Sequence, residues 1–339
     1  MSGYRIAVVG ATGLVGQTIL EVLDEHRVPV QSLVALARQG GGRTVVFRGQ
    51  SIEVEPVASM DWSRVDVAFF AAGNAVSDEY APKAALAGVT VIDKSSRFRM
   101  DPTVPLVVPE VNGDAVGDAR IIASPNCSTI QLVVALAPLA RRFGLERVIV
   151  STYQAVSGTG REAVEELEQQ TRRQVEGEGL GDPEVYPVPI AHNVLPYCDQ
   201  FMDQDYTGEE WKLMRETSKI MDQPVRLSAT AVRVPVYVGH AESVYVETRE
   251  PWTLDQVRAV LSEGRSVRIV DDPARGLVPT PRDAAGTDEV WVGRIRADMH
   301  EPKGLHLFVV SDNLRRGAAT NAIEIMQQLG PRWGLGGAR

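Results

Sequence analysis

Residues 5–26 read "RIAVVGATGLVGQTILEVLDEH", and this stretch decides the fold. "RIAVVG" (5–10) is an apolar run of strand length. "LVGQTILEVLDEH" (14–26) sets Val15, Ile19, Leu20 and Leu23 on one face at helical spacing. Between them Gly10, Gly13 and Gly16 give a G-x-x-G-x-x-G pattern. Glycine permits a tight turn and close backbone approach to a diphosphate, and the following helix N-terminus offers N–H donors and positive potential. The glycine pattern alone also fits an ordinary strand-to-helix turn; strand before and helix after favour nucleotide binding.

The same rhythm continues outward. "SLVALA" (32–37), "VDVAFFAAG" (65–73) and "VTVIDKS" (89–95) read as strands, with the helix-like "SDEYAPKAALAG" (77–88) before the last. Alternating strands and helices imply a parallel sheet covered on both faces. From about residue 146 longer strands follow: "RVIVSTYQAV", "VRLSATAVRVPVYV", "SVYVETRE", "VWVGRIRAD" and "GLHLFVVSDNL". They predict a second, α+β domain with a mostly antiparallel or mixed sheet. "QVEGEGLGDPEVYP" (174–187) reads as a surface loop, and "GAATNAIEIMQQLG" (317–330) as a helix.

Composition sets limits. The 339 residues suit two domains, and 44% apolar content can fill a sizeable core. No apolar run reaches the roughly 18 residues of a membrane span. The opening "MSGYRIAVVG" lacks the basic and apolar regions of a signal peptide. Two cysteines, Cys127 and Cys198, exclude a disulfide framework and fit a reducing, cytoplasmic setting. A net charge of -9 argues against a nucleic-acid binder.

The second strand ends "ALARQGGGR", without the acid that holds a ribose 2′-hydroxyl in NAD-binding chains. Arg38 stands at the strand end and Arg43 across a glycine run. A cation there suits a 2′-phosphate, hence NADP; a solvated loop carrying two arginines is the alternative.

Cys127 lies in "ASPNCSTIQLVVALAPL" (123–139), between a strand-like "ARIIAS" and a helical run. A helix N-terminus favours a thiolate, so its position suits a nucleophile. Cys198 in "PYCDQ" has no such setting. A base for the thiol must come from five histidines. His26 reads as solvated, and His192, His300 and His306 as structural. His240 follows "RLSATAVRVPVYVG" directly, and strand ends and loops are where catalytic groups concentrate. In that strand Arg233 alternates away from Val232 and Val234. It fits either a paired structural ion or a bidentate clamp on a carboxylate, and spacing leaves both open.

"GATGLVG", "SSRFRM", "PNCSTIQ", "STYQAVSGTG", "VRVPVYVGHAES", "VGRIRAD" and "VVSDNLRRGAA" together resemble the aspartate-β-semialdehyde dehydrogenase family, in that family's order and across nearly the whole chain. The resemblance implies reversible, phosphate-dependent oxidation of L-aspartate 4-semialdehyde to L-4-aspartyl phosphate with NADP. In cells the reaction would run towards the semialdehyde, the branch point to lysine, diaminopimelate, threonine, methionine and isoleucine. It also implies a homodimer, no nucleic-acid or membrane partner and no metal.

Carried over residue by residue, the resemblance makes Cys127 the acyl-enzyme nucleophile, His240 the general acid/base and Gln154 the residue that orients the substrate beside them. Arg233 would bind the substrate carboxylate, and Glu216 its ammonium. Arg99, Asn126 and Lys219 would bind phosphate. Gly10, Thr12, Gly13, Leu14, Val15, Arg38, Gln39, Ser157, Gly158 and Asn313 would contact the cofactor. Among phosphorylating semialdehyde dehydrogenases the nearest rival is the N-acetylglutamyl-phosphate reductase family. Its substrate lacks a free ammonium, which leaves Glu216 without a charge to meet. The expected division is a Rossmann-type NADP-binding domain over 1–126, a catalytic and dimerisation domain over 127–314, and a C-terminal helix at 315–330 returning to the first domain.

Overall fold

A computed structural model describes residues 3–333 of the 339. They divide into two compact units, residues 3–126 with 318–333, and residues 127–317.

The first unit begins with β1 (Tyr4–Val9), α1 (Leu14–Glu25) and β2 (Val30–Ala37). A hairpin of β3 (Thr44–Phe47) and β4 (Gln50–Pro56) follows, then β5 (Val67–Phe70), α2 (Asn74–Leu86) and β6 (Thr90–Asp93). A short α3 (Pro109–Asn112) precedes β7 (Ile121–Ala123). The sheet order is β3-β4-β2-β1-β5-β6-β7, parallel throughout except for the β3–β4 hairpin. β1 thus lies between β2 and β5, where the chain reverses its direction of travel across the sheet, and Gly10 follows its end. Open parallel sheets bind ligands in the crevice at such a point. The hairpin was not anticipated: its strands are short and half exposed, and its turn at Arg48 and Gly49 has φ of 50° and 74°.

The second unit opens with α4 (Cys127–Phe143), β8 (Leu145–Gln154) and α5 (Arg161–Glu176). After an irregular stretch come α6 (Gly208–Ile220), β9 (Leu227–Arg233) and β10 (His240–Thr248). The remainder is α7 (Leu254–Ser262), β11 (Val267–Ile269), α8 (Pro281–Ala284), β12 (Val290–Ala297) and β13 (Gly304–Ser311). The sheet order β11-β12-β13-β10-β8-β9 is mixed: β8–β9 and β11–β12 run parallel, the other pairs antiparallel.

Two sequence expectations change here. The apolar run 225–238 is no single strand: Pro235, without an N–H, and Gly239, with φ of 99°, break it, so His240 opens β10 instead of following a long strand. The expected loop 174–187 loses its first three residues to α5, which ends on Gly177 in the left-handed region.

The C-terminal segment begins as a π turn, Arg315–Thr320, and continues as α9 (Asn321–Gln328). Ala322, Ile323, Ile325 and Met326 of α9 share one buried core with Val8, Ile19, Phe69 and Ile122 of the first unit. Asn321 ties the helix down, donating through Nδ2 to Val107 O at 3.1 Å and Ser124 Oγ at 2.9 Å.

Candidate active site

In the second unit four adjacent strands deliver side chains at one end of the sheet. β8 ends on Gln154 and the parallel β9 on Arg233, its register partner. β10 runs the other way, so its first residue, His240, lies at the same end, opposite Ser311 at the end of β13. Cys127 is the first residue of α4 and half-buried. Its Sγ stands 3.2 Å from His240 Nε2.

His240 is fully buried, and its Nδ1 accepts the Ala155 backbone N–H at 3.0 Å. Burial first, and the Arg233 guanidinium second, push its pKa down to about 3, against an opposing pull from Glu209. The other cysteine differs: Cys198 is buried, and that burial raises its thiol to about 12.

Arg233 is 7% exposed. One of its terminal nitrogens donates to Ala155 O at 2.8 Å, its Nε has no partner, and no carboxylate pairs with it among the described residues. A buried cation left in this state calls for an anion.

Glu209, on α6, escaped the sequence reading. Its Oε1 accepts from Gln154 Nε2 at 2.9 Å and from the Ser128 hydroxyl at 3.0 Å, and Lys212 Nζ lies 3.4 Å from Oε2. A carboxylate only accepts, so Gln154 must turn its amide nitrogen to Glu209, which leaves the amide oxygen to offer a ligand. The usable signal was the "TGEE" helix start: Thr207 and Glu210 form a reciprocal cap, which leaves the neighbouring glutamate uncommitted. Glu216 and Lys219 also belong to α6, and Glu216 is 1% exposed.

The loop after β8 frames the pair. Ser157 and Asn313 exchange hydrogen bonds, and Asn313 Oδ1 accepts from Gly239 N at 2.8 Å, fixing the start of β10. A Cβ on Gly158 would lie 3.0 Å from both Arg233 and His240. These three residues, expected at the cofactor, pack against the start of β10 and the side chains of Arg233 and His240.

In the first unit, the turn after β1 fits a dinucleotide. Gly10 has φ of 89°, and a Cβ there would lie 2.6 Å from Ala71 O; on Gly16 it would lie 2.1 Å from Gly10 O. Gly13 caps α1 without a side-chain acceptor, and no acid occupies the first turn, so the helix start suits a phosphate. Thr12, Leu14 and Val15 are half-buried around it. Arg38 and Gln39 are exposed just beyond β2, with no acid at the strand end. Arg99 is buried and donates to Lys94 O at 2.7 Å; Asn126, also buried, is the last residue before Cys127.

A glycine-turn nucleotide fold in one unit and a thiol–imidazole pair in the other suit a class, the nucleotide-dependent oxidoreductases. Comparison with known proteins narrows it. Residues 5–119 match the family model of the semialdehyde dehydrogenase NAD binding domain, and residues 136–316 that of the semialdehyde dehydrogenase dimerisation domain. An aspartate-semialdehyde dehydrogenase of Aquifex aeolicus is 48% identical over 96% of this chain and 98% of its own. The crystal structure of aspartate semialdehyde dehydrogenase II of Vibrio cholerae complexed with ASA superposes with a TM-score of 0.94, at 45% identity, over 97% of this chain and 98% of that one. The Candida albicans enzyme, described with NADP, gives a TM-score of 0.74 at 25% identity, over 97% and 98%. The chain belongs to the aspartate-semialdehyde dehydrogenase family.

Proposed function

We propose that the protein catalyses the reversible, phosphate-dependent oxidation of L-aspartate 4-semialdehyde to L-4-aspartyl phosphate through a Cys127 thioester, with NADP. The observation that carries the substrate reading is Arg233, a buried guanidinium without a carboxylate partner among the described residues, on the strand next to Gln154. The substrate's α-carboxylate completes it bidentately. Glu216 meets the ammonium. Arg99 and Asn126 of the first unit and Lys219 of the second take the phosphate role.

Cys127 attacks the aldehyde carbon, and His240 lies within hydrogen-bond reach of the reacting sulfur. Gln154, held by Glu209, orients the substrate. Bound at the Gly10–Gly16 turn, a nicotinamide dinucleotide supplies the hydride acceptor. Arg38, in place of an acid after β2, supports NADP over NAD, as does the description of the Candida albicans relative. Ser157, Gly158 and Asn313 complete the cofactor contacts. The pathway reading follows from the reaction: it supplies the semialdehyde from which lysine, diaminopimelate, threonine, methionine and isoleucine are built. The match to a dimerisation domain supports a homodimer, so sedimentation at 36.9 kDa would count against it.

The test is a phosphate- or arsenate-dependent assay with aspartate semialdehyde and N-acetylglutamate semialdehyde side by side, each with NADP and NAD. Turnover of only the acetylated substrate sinks the reading. Cys127→Ala should abolish turnover but leave dinucleotide binding largely intact, while Cys198→Ala changes it modestly. More than roughly a hundredth of the activity left in Cys127→Ala would require another nucleophile.

A further inference from the structure

We propose that Gln131, with the Glu242 carboxyl and the Ser311 hydroxyl, sets the register of α4 on the mixed sheet and so positions Cys127 against His240. The three are positioning residues: they act through that pair and not on the substrate. The proposal rests on Cys127 as the nucleophile and on nothing about which aldehyde it attacks.

The placement follows from two repeats. Gln131 comes one turn after Cys127 on α4, about 6 Å along the helix and on the same face. Glu242 comes two residues after His240 on β10, about 7 Å along the strand and on the same face. Helix turn and strand repeat nearly match, so α4 meets β10 in two rungs. The first is the 3.2 Å contact of Cys127 Sγ with His240 Nε2. In the second, the Gln131 amide lies close enough to the Glu242 carboxyl to act on it as a hydrogen-bond partner. Ser311, the register partner of His240 on β13, ties this rung to the neighbouring strand: its hydroxyl donates to Gln131 Oε1 at 2.7 Å. That bond assigns the amide oxygen to Ser311. It leaves Nε2 to face Glu242, at less than regular hydrogen-bond geometry.

All three side chains are fully buried. Such burial is unfavourable where apolar side chains would serve, and it pushes the Glu242 pKa well above the ordinary carboxyl value, against an opposing pull from Gln131. What the set offers in return is direction. From Leu132 to Ala137 α4 buries only apolar side chains. Apolar contact is non-directional, whereas a hydrogen bond weakens steeply as its geometry departs from the optimum. A slide of α4 by one residue, about 1.5 Å, would break the bond between Ser311 and Gln131. The same slide would carry Cys127 away from His240. The Ser128 hydroxyl ties α4 to Glu209 on α6; Gln131 ties it to the two strands that end beside the nucleophile.

The test separates positioning from support. The triple variant Gln131→Leu, Glu242→Leu, Ser311→Ala removes every member together and strands none of them, an exchange that is commonly neutral or stabilising. We expect it to melt no lower than the parent at neutral pH. It should nevertheless lose about 10- to 10²-fold in turnover, the scale of a misplaced near-attack geometry, with Michaelis constants and dinucleotide affinity little changed. Alkylation of Cys127 by iodoacetamide, without substrate, should slow as well, since the thiol then stands away from the imidazole that favours its thiolate. A folded triple variant with parental turnover and parental alkylation overturns the proposal.

Two milder comparisons hold if the triple variant does not fold. Ser311→Ala alone should lower turnover at unchanged Michaelis constants. Glu242→Gln, which keeps a polar partner for Gln131, should stay closer to the parent in turnover than Glu242→Leu. No fall in Ser311→Ala, or the opposite order at Glu242, overturns the proposal too. If Cys127→Ala kept its turnover, the nucleophile reading would fail by itself, while the alkylation contrast would still report the register of α4. The two ideas therefore fail separately.

Discussion

Gly317 stands against Cys127 so closely that a Cβ built on the glycine would lie 2.8 Å from the cysteine Cβ. The π turn Arg315–Thr320 sets up this approach: Gly317 N donates to Asp312 O five residues back at 3.0 Å, a wider loop than an α-helix makes. Gly317→Ala should therefore push Cys127, the proposed nucleophile, aside. We expect turnover to fall by about 10²-fold, the scale of a misplaced near-attack geometry, with dinucleotide affinity little changed. Steady-state kinetics beside a binding titration check this, and unchanged turnover would show that Cys127 yields without cost.

Glu242 lies two residues from His240 and is fully buried, and burial raises its pKa well above the ordinary carboxyl value. Gln131 stands near enough to moderate the shift, although its Nε2 makes no bond of regular geometry. A carboxyl that holds its proton more tightly when folded loses stability as pH rises past its unfolded value of about 4.3. Glu242→Gln removes that slope. The variant should match the parent in thermal stability near that pH and exceed it at neutral pH. A variant less stable at neutral pH than in acid, relative to the parent, would mean that Glu242 is ionised in the fold.

How far the sequence revealed this arrangement depended on how local each signal was. The turn from Gly10 to Gly16 was legible because strand, turn and helix are contiguous, and each glycine answers a nearby backbone atom. Cys127 was legible as the residue at the mouth of an apolar helix. His240 was harder. Its importance could be guessed, but its place at the start of β10 depended on Pro235 and Gly239 breaking a run whose apolar pattern reads continuously. Arg233 could be put on one strand face, yet whether it had a counter-ion was a tertiary question. Glu209 was missed because the helix-start pattern marks only its position, and its partners Ser128 and Gln154 come to it when α6 packs on α4 and β9.

That role can be separated into charge and support. Glu209→Ala removes the acceptor that the Ser128 hydroxyl and the Gln154 amide share, and losing a hydrogen bond to a charged group costs about 1.5–3 kcal/mol. Glu209→Gln keeps an acceptor but also offers a donor, so Gln154 is no longer obliged to face one way. We expect the alanine variant to melt lower. The glutamine variant should melt near the parent while losing about tenfold in turnover, within the 10²-fold that misorientation can cost. Equal turnover in Glu209→Gln and parent would show that the amide direction is immaterial.

Arg99 and Arg233 are both buried cations, and the proposal gives them different anions. Phosphate is a separate substrate in the oxidative direction, so the two can be probed independently. Arg→Lys keeps the charge but loses the two-pronged planar geometry that suits a carboxylate. At Arg233 that geometry matters most, because one terminal nitrogen is already held by Ala155 O and the remaining donors must align the substrate. Arg99→Lys should mainly raise the Michaelis constant for phosphate. Arg233→Lys should weaken use of aspartate semialdehyde and lower turnover further, up to about 10²-fold, since the aldehyde carbon is then poorly aligned to Cys127. Varying each substrate at saturating levels of the others decides between them. If Arg233→Lys changed only the phosphate constant, the two assignments would have to be exchanged, and the case for an amino-acid substrate held between Arg233 and Glu216 would fall with them.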